Sequence, residues 1–253
     1  MIKFFRKIRQ KMLAENKFSK YLIYAIGEII LVVIGILIAL QINNLNEQRK
    51  DHEVEISILQ NIILDLDSDI SELEFIKNHT SNHADTLNAN YNALLDGSIF
   101  KNSNRLADFF GQLWATSNVD FFEVNSSVYD ENLSSGKFTL VQNDSLRQKI
   151  SEYYRFTKVS HRDNDTRTFA LREIRPMIYD IWGTKKEFLM RFNIKSNFPS
   201  FNPIEFSKDE RLGKVILIYN THSFIQIEKW DQYKDRASRL KNNITEEIKF
   251  LLK

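Results

Sequence analysis

Residues 21–42 read YLIYAIGEIILVVIGILIALQI, and this apolar stretch decides how the rest of the chain is interpreted. Within it, Glu28 and Gln41 are the polar interruptions. A helix of this length rises about 33 Å, which is enough to cross a hydrocarbon core of about 30 Å. A cleaved signal peptide would have a shorter apolar run of about 7–15 residues and a cleavage site of small residues. The stretch therefore predicts an uncleaved transmembrane helix that serves as a signal anchor.

A basic arm, residues 1–20, precedes this helix and holds seven Lys and Arg side chains against the single acid Glu15. By the positive-inside rule the arm lies in the cytoplasm, and residues 43–253 lie across the membrane, in the periplasm of a Gram-negative cell. Its apolar residues recur at helical spacing, so a short amphipathic helix could lie on anionic headgroups of the lipid bilayer. The alternative is that the cations only set the topology. The cations assigned to the membrane surface are Lys3, Arg6, Lys7, Arg9 and Lys11.

The remaining 233 residues carry 28 basic and 32 acidic side chains, because the whole chain has 35 and 33. A domain that binds nucleic acid should be clearly basic, so a nucleic-acid partner is not expected. The absence of Cys excludes disulfides, thiol nucleophiles and Cys-ligated metals. The chain also lacks glycine-rich phosphate loops and the common hydrolase motifs, so we expect no enzymatic activity, no cofactor and no metal.

One face of the predicted span carries Glu28, Gly35, Ala39 and Ile42, which are separated by seven, four and three residues. A carboxylate inside a bilayer costs about 2.5–3.5 kcal/mol on insertion scales and usually faces protein or water. Gly35 and Ala39 form a pair of small residues that lets two helices approach closely. This face predicts an interface with a second copy or with another envelope membrane protein. The alternative is a protonated Glu28 near the headgroups with no protein partner.

The block FFRKIRQKMLAENKFSKYLIYAIGEIILVVIGILIALQINNLNEQRK, residues 4–50, resembles the N-terminus of a family of bacterial single-pass membrane proteins of unknown function. The stretch SSVYDENLSSGKFTLVQNDSLRQKISEYY, residues 126–154, resembles the middle of the same family. The resemblance implies an inner-membrane protein with an extracytoplasmic helical domain. It implies no activity and no catalytic residues.

Helical periodicity continues beyond the span, since no Gly or Pro occurs between Gly35 and Gly97. Apolar residues at steps of three and four over 59–73 predict that the transmembrane helix continues as a stalk to about residue 78. A second helix is predicted over 84–95, closed by Gly97, and a third over 106–113. Ser134-Ser135-Gly136 predicts a helix stop.

The C-terminal half adds two long helices and a connector. Asp144 is the predicted N-cap of a helix that Pro176 kinks or interrupts, and residues 183–206 form a long connector whose five Phe side chains should pack onto the bundle. A ligand groove or a partner patch is the alternative role for these rings. The capping box Ser207-x-x-Glu210 predicts the start of a helix of about 65 Å that packs antiparallel to the stalk. The fold class expected is all-α, with one N-terminal transmembrane helix continuing into an elongated extracytoplasmic helical bundle.

Two clusters of possible ligands are better explained as polar surface residues. His79 and His83 share a helix face, but two ligands do not make a metal site. Asp65-x-Asp67-x-Asp69 imitates the start of a calcium loop, yet Ile70 stands where the loop needs Gly. Asp65, Asp69 and Glu72 are therefore interpreted as the polar face of the stalk.

The function expected from these observations is a membrane-anchored helical scaffold or accessory protein of the cell envelope that acts by protein–protein interaction. The alternative is an extracytoplasmic ligand-binding sensor that signals through a partner membrane protein. A sensor would show a concave pocket lined by aromatic side chains, whereas a scaffold would expose an apolar patch.

Overall fold

The computed structural model describes residues 18–158, 168–183, 185–190 and 192–253, and all regular elements in these ranges are helical. The predicted all-α class is therefore confirmed. Contacts divide the chain into two units after Glu55. Residues up to Glu55 are called the N-terminal unit, and Ile56–Lys253 are called the helical domain. The arm residues Lys3, Arg6, Lys7, Arg9 and Lys11 lie outside the described residues.

The first helix, α1, runs from Phe18 to Leu95 without a break, so the predicted separation into a stalk and a second helix is wrong. The polar run between Asn78 and His83 predicts a helix end, but each of these residues lowers helix stability by less than about 1 kcal/mol, so the helix continues through them. The helix stops where the sequence requires it, because Gly97 adopts a φ of 78° that residues with a side chain rarely adopt.

Within the N-terminal unit, every side chain from Ile29 to Lys50 is exposed, including the apolar ones. By length and composition, α1 is the one helix among the described residues that could cross a membrane, and its apolar window lies near the N-terminus. An apolar helix surface of this kind is unfavourable in water, because each large side chain forfeits about 1.5–3 kcal/mol of burial free energy.

The helical domain is built on antiparallel pairing of α1 with the last long helix, α8, which spans Glu210–Leu251. Four side-chain contacts establish the antiparallel direction and the register. From one contact to the next, the residue number decreases along α1 by the same amount as it increases along α8. They join Asn88 to Asn220, Lys77 to Asp231, Glu74 to Lys234 and Asp67 to Lys241. The predicted antiparallel packing is confirmed, and the 42 residues of α8 span about 63 Å, close to the predicted length of about 65 Å.

The buried positions of both helices alternate in steps of four and three residues. On α1 they include Leu59, Ile62, Leu66, Asp69, Leu73, Ile76, Thr80, Leu87, Asn90 and Leu94. On α8 they include Leu212, Ile216, Tyr219, Ser223, Gln226, Trp230, Tyr233, Ala237, Leu240 and Ile244. This spacing keeps one face of each helix against its neighbour along the whole contact. It also places several polar residues in the core.

Shorter helices cover this pair: α2 is Ser103–Ala115, α3 is Ser127–Ser134 and α4 is Asp144–Lys158. The predicted stop after α3 is confirmed, since Gly136 has a φ of 75°. The predicted N-cap of α4 is wrong by one residue, because Asn143 accepts the hydrogen bond from the backbone N–H of Leu146 at 3.1 Å. The side-chain amide of Asn143 also donates to Glu247 on α8, which anchors the start of α4.

Pro176 lies in a helical segment, α5, of only four residues, Arg175–Ile178. Wider π-helical turns flank it at Ala170–Ile174 and Tyr179–Gly183. Because proline has no backbone N–H and its ring crowds the preceding turn, the regular α-helical bonding cannot pass through it. The predicted interruption at Pro176 is confirmed. The predicted continuity with α4 passes through residues 159–167, which lie outside the described residues.

The connector contains two short helices, α6 at Lys186–Met190 and α7 at Pro203–Ser207. Three of its five Phe rings, at Phe188, Phe201 and Phe206, pack into an aromatic cluster with Phe110 and Trp182, as predicted. The rings of Phe110 and Trp182 stack at 3.9 Å in its centre. The other two, Phe192 and Phe198, are exposed, so the predicted packing is wrong for these two rings.

The predicted capping box at the start of α8 is also wrong. Asp209, not Ser207, caps the helix by accepting from the backbone N–H of Arg211 at 3.0 Å. The hydroxyl of Ser207 instead donates to the carbonyl oxygen of Ile204, because Ser207 ends α7. The serine that the capping box requires therefore belongs to the separate short helix α7.

Candidate functional site

A buried polar network crosses the middle of the helical domain, and its acids are Asp65 and Asp69. These residues lie one turn apart on α1 and are only 7% and 1% exposed. Their interpretation as a solvated polar face is therefore wrong, although Glu72 is exposed as predicted. Asp69 points into the core because the repeat of buried positions on α1 passes through it, and Asp65 is buried beside Leu66 of the same repeat.

Asn125, in the segment before α3, binds both carboxylates. Its backbone N–H donates to Asp69 Oδ1 at 2.9 Å, and its side-chain amide donates to Asp65 Oδ1 at 2.9 Å. The hydroxyl of Tyr153 on α4 donates to Asp69 Oδ2 at 2.8 Å. The network consequently connects α1, α4 and the segment before α3 through three hydrogen bonds.

Two polar atoms beside this network make no hydrogen bond among the described residues: Asp65 Oδ2 and the hydroxyl of Tyr154. Tyr154 is fully buried, and its ring stacks on Tyr129 at 4.4 Å. A buried oxygen without a partner costs about 1–3 kcal/mol, more if it is charged. Burial accordingly raises the pKa of Asp65, while the backbone N–H of Val128 acts in the opposite direction.

The carboxyl group of Asp69 has the larger pKa shift of the two acids in the network. Burial raises its pKa to about 6, even though the donors Asn125 and Tyr153 favour the charged form. The charges of Asp65 and Glu72 contribute to this rise. Burial, followed by the charge of Asp69, also raises the pKa of Tyr153 far above its ordinary value. The arrangement can therefore take up a proton at Asp69 in mildly acidic solution, while Tyr153 remains a hydrogen-bond donor.

The histidine pair forms a second polar cluster on α1. The ring of His79 contacts Asp120 Oδ2 through Nδ1 at 2.7 Å, and the hydroxyl of Thr80 donates to the same oxygen at 2.6 Å. His83 is instead half-buried, with its ring edge-on to Tyr219 at 5.1 Å, and burial lowers its pKa. Among the described residues, no group of three or more His, Asp or Glu side chains could hold a metal ion.

The residues predicted for a transmembrane interface all lie on α1 in the N-terminal unit. Gly35, Ala39 and Ile42 are exposed, and Glu28 is half-buried. A Cβ atom added at Gly35 would meet nothing within 4 Å, so this single chain leaves the close-packing surface open. Their role in an interface stays a prediction.

Asp65, Asp69, Asn125 and Tyr153 were missed as a site because each resembles a common surface or core residue in isolation. The available signal was the alternation of four and three along α1, which places Asp69 at a core position between Leu66 and Leu73. Polar residues at such positions commonly select one register of helix pairing. Their partners on α4 and before α3 are separated from them by 56 to 84 residues, and no local sequence pattern predicts such distant contacts.

Comparison with known proteins gives a family and no activity. No curated protein and no solved structure matches the chain. Residues 28–163 match a family of unknown function, DUF6090, and this range includes the whole Asp–Tyr network. The match covers more than half of the chain and includes most of the apolar segment and the stretch at 126–154 on which the resemblance was based. The chain therefore belongs to the DUF6090 family of unknown function.

Proposed function

We propose that this protein is a membrane-anchored helical scaffold or accessory protein of the bacterial cell envelope, and that it acts by protein–protein interaction. The observation that carries the proposal is a set of exposed apolar side chains on the connector. We call this set the connector patch. Its members are Met190, Phe192, Ile194, Phe198 and Ile204, each between 49% and 64% exposed.

The connector patch is presented by a segment with a defined structure. The backbone N–H of Lys186 donates to the carbonyl oxygen of Pro199, and the backbone N–H of Phe201 donates to the carboxylate of Glu187. Buried Phe188 and Phe206 hold the two ends of the segment against the domain. Exposed apolar side chains mark a protein-binding surface when they lie together, and these five fall within residues 190–204.

Membrane anchoring is supported by the apolar, uncovered N-terminal unit. Lipid would cover the side chains between Ile29 and Leu45 that water would otherwise meet. The excess of basic residues before the span supports an N-terminus in the cytoplasm and a helical domain in the periplasm. Under this arrangement the connector patch meets partners outside the cytoplasm.

A ligand sensor is supported less well. A cavity of about 570 Å³ lies between α4 and α8, and its lining is mainly charged and amide side chains. Pockets for small molecules are predominantly hydrophobic and aromatic. The cavity therefore favours a polar partner surface over an enclosed small-molecule site.

The proposal is tested by photocrosslinking in native membranes. A photoreactive amino acid is placed at Phe198 or Ile204 of the full chain, and Glu228, exposed on α8, provides the matched control position. We expect a discrete crosslinked protein from the two patch positions and a weaker product or none from the control. Equal labelling at all three positions, or no protein product at any of them, would contradict an interaction through the connector patch.

A further inference from the structure

The cavity between α4 and α8 is an open groove on the surface of the helical domain. Its lining on α8 extends from Gln232 to Asn243, which corresponds to about 16 Å along the helix axis. Lys149 and Glu152 of α4 form the opposite wall, and Tyr153, whose hydroxyl binds buried Asp69, contributes to the floor. The groove has a volume of about 570 Å³ and is open to solvent.

The charges of the groove are compensated unevenly. Asp235 pairs with Arg239, and Glu152 accepts a hydrogen bond from Gln148 at 2.8 Å. Lys149 and Arg236 have no ion-pair or hydrogen-bond partner among the described residues. Arg239 therefore compensates the charge of Asp235, whereas Glu152 keeps its charge. Two cations, Lys149 and Arg236, remain unpaired within the part of the chain that the structure describes, and the groove has a formal charge of +1.

Arg236 is also oriented for binding. Its guanidinium lies over the ring of Phe156 at 3.8 Å from the centroid. A cation–π contact uses the face of the guanidinium and leaves its N–H donors free in the plane. Those donors match the two oxygens of a carboxylate, so the bound group would be held in a defined orientation.

We propose that this groove binds a short acidic segment of a partner protein in extended form. An extended chain advances about 3.3 Å per residue, so about five residues would fill 16 Å. Carboxylates of the segment contact Arg236 and Lys149 on opposite walls of the groove. The assignment of the segment to a partner protein rests on the proposed function, whereas binding to the groove can be measured independently of it.

The experiment measures fluorescence anisotropy of a labelled hexaglutamate peptide with the full chain in nonionic detergent. Hexaglutamine is the uncharged control peptide. Lys149→Gln and Arg236→Gln remove the two available cations, and Lys214→Gln removes an exposed cation of α8 outside the groove. Circular dichroism of each variant verifies folding, and Lys149 is exposed, so its replacement leaves the core intact.

We expect each groove variant to weaken hexaglutamate binding about 3- to 10-fold, and Lys214→Gln to leave it unchanged. Hexaglutamine should not bind. Equal affinity in wild type and both groove variants would overturn the proposal, because the peptide would then be bound elsewhere, for example by the basic arm. Tighter binding of citrate than of hexaglutamate at the same two side chains would also overturn it, in favour of a small free acid. Failure of connector crosslinking alone would remove the proposed function and leave the groove result standing.

Discussion

Replacement of Asp69 by Asn should change how the stability of the helical domain depends on pH. The pKa of Asp69 rises from its ordinary value of 3.8 to about 6 in the folded state, chiefly because the carboxyl is buried. Between these two values the folded state holds a proton that the unfolded state has lost. The contribution of Asp69 to stability is therefore fully present below pH 3.8 and is lost as pH rises through about 6.

The size of the effect follows from the pKa difference. A shift of about two pH units, at about 1.4 kcal/mol per unit, corresponds to at most about 3 kcal/mol. Asn is nearly isosteric and stays neutral, and its amide oxygen can still accept from the backbone N–H of Asn125. Relative to wild type, Asp69→Asn should therefore gain up to about 3 kcal/mol in unfolding free energy between pH 4 and pH 7.

The assay is urea unfolding of the full chain in nonionic detergent, followed by tryptophan fluorescence at several pH values. All three Trp residues, Trp114, Trp182 and Trp230, lie in the helical domain, so the signal reports this domain alone. Asp67→Asn, a change on the same helix as Asp69, removes a half-buried ion pair with Lys241 of α8 and should cost less than about 1 kcal/mol. A stability difference between Asp69→Asn and wild type that is the same at pH 4 and pH 7 would refute the reasoning.

Four further predictions concern topology, assembly and the core. A fluorescent protein that matures only in the cytoplasm should stay dark when it is fused after Lys253, and bright fusions would reverse the proposed orientation. In a two-helix association assay of the isolated span, Gly35→Leu should disrupt association and Glu28→Leu should weaken it by about 1–2 kcal/mol; no change in either would place this face against lipid. Residues 46–253 expressed alone should be soluble and give a helical circular dichroism spectrum, and a strand spectrum would contradict the fold. Trp230→Ala should lower the unfolding free energy by about 3–5 kcal/mol, because the ring is only 1% exposed, and a loss below 1 kcal/mol would show that the core collapses around the gap.

The long helices could be predicted because their signals are local. Steps of three and four between apolar residues, and the lack of Gly and Pro between Gly35 and Gly97, determine most of α1. The false break after residue 78 arose because the core itself becomes polar there. Thr80 occupies a buried position and donates to Asp120, a contact 40 residues away that no helical pattern contains.

The candidate site could be predicted less well, for the same physical reason. A buried carboxylate resembles a solvated one until its donors are known, and the hydroxyl of Tyr153 lies 84 residues away from Asp69 in the chain. The predicted cap of α8 was wrong for a more local reason. Ser207 was available to α8 in sequence, but the short helix α7 had already engaged its hydroxyl.

The pairing of α1 with α8 has a consequence for how the protein is made. The contact between Asp67 and Lys241 joins residues 174 positions apart, so the first long helix emerges well before its partner exists. At synthesis rates of about 5–20 residues per second, this delay is about 9–35 s. During that interval Leu59, Ile62 and Leu66 have no α8 to cover them, and the nascent chain is most exposed to aggregation and proteolysis. A holdase that binds the nascent α1 would have to release it when α8 is complete. The domain can therefore reach its final fold only after α8, Glu210–Leu251, has been synthesised.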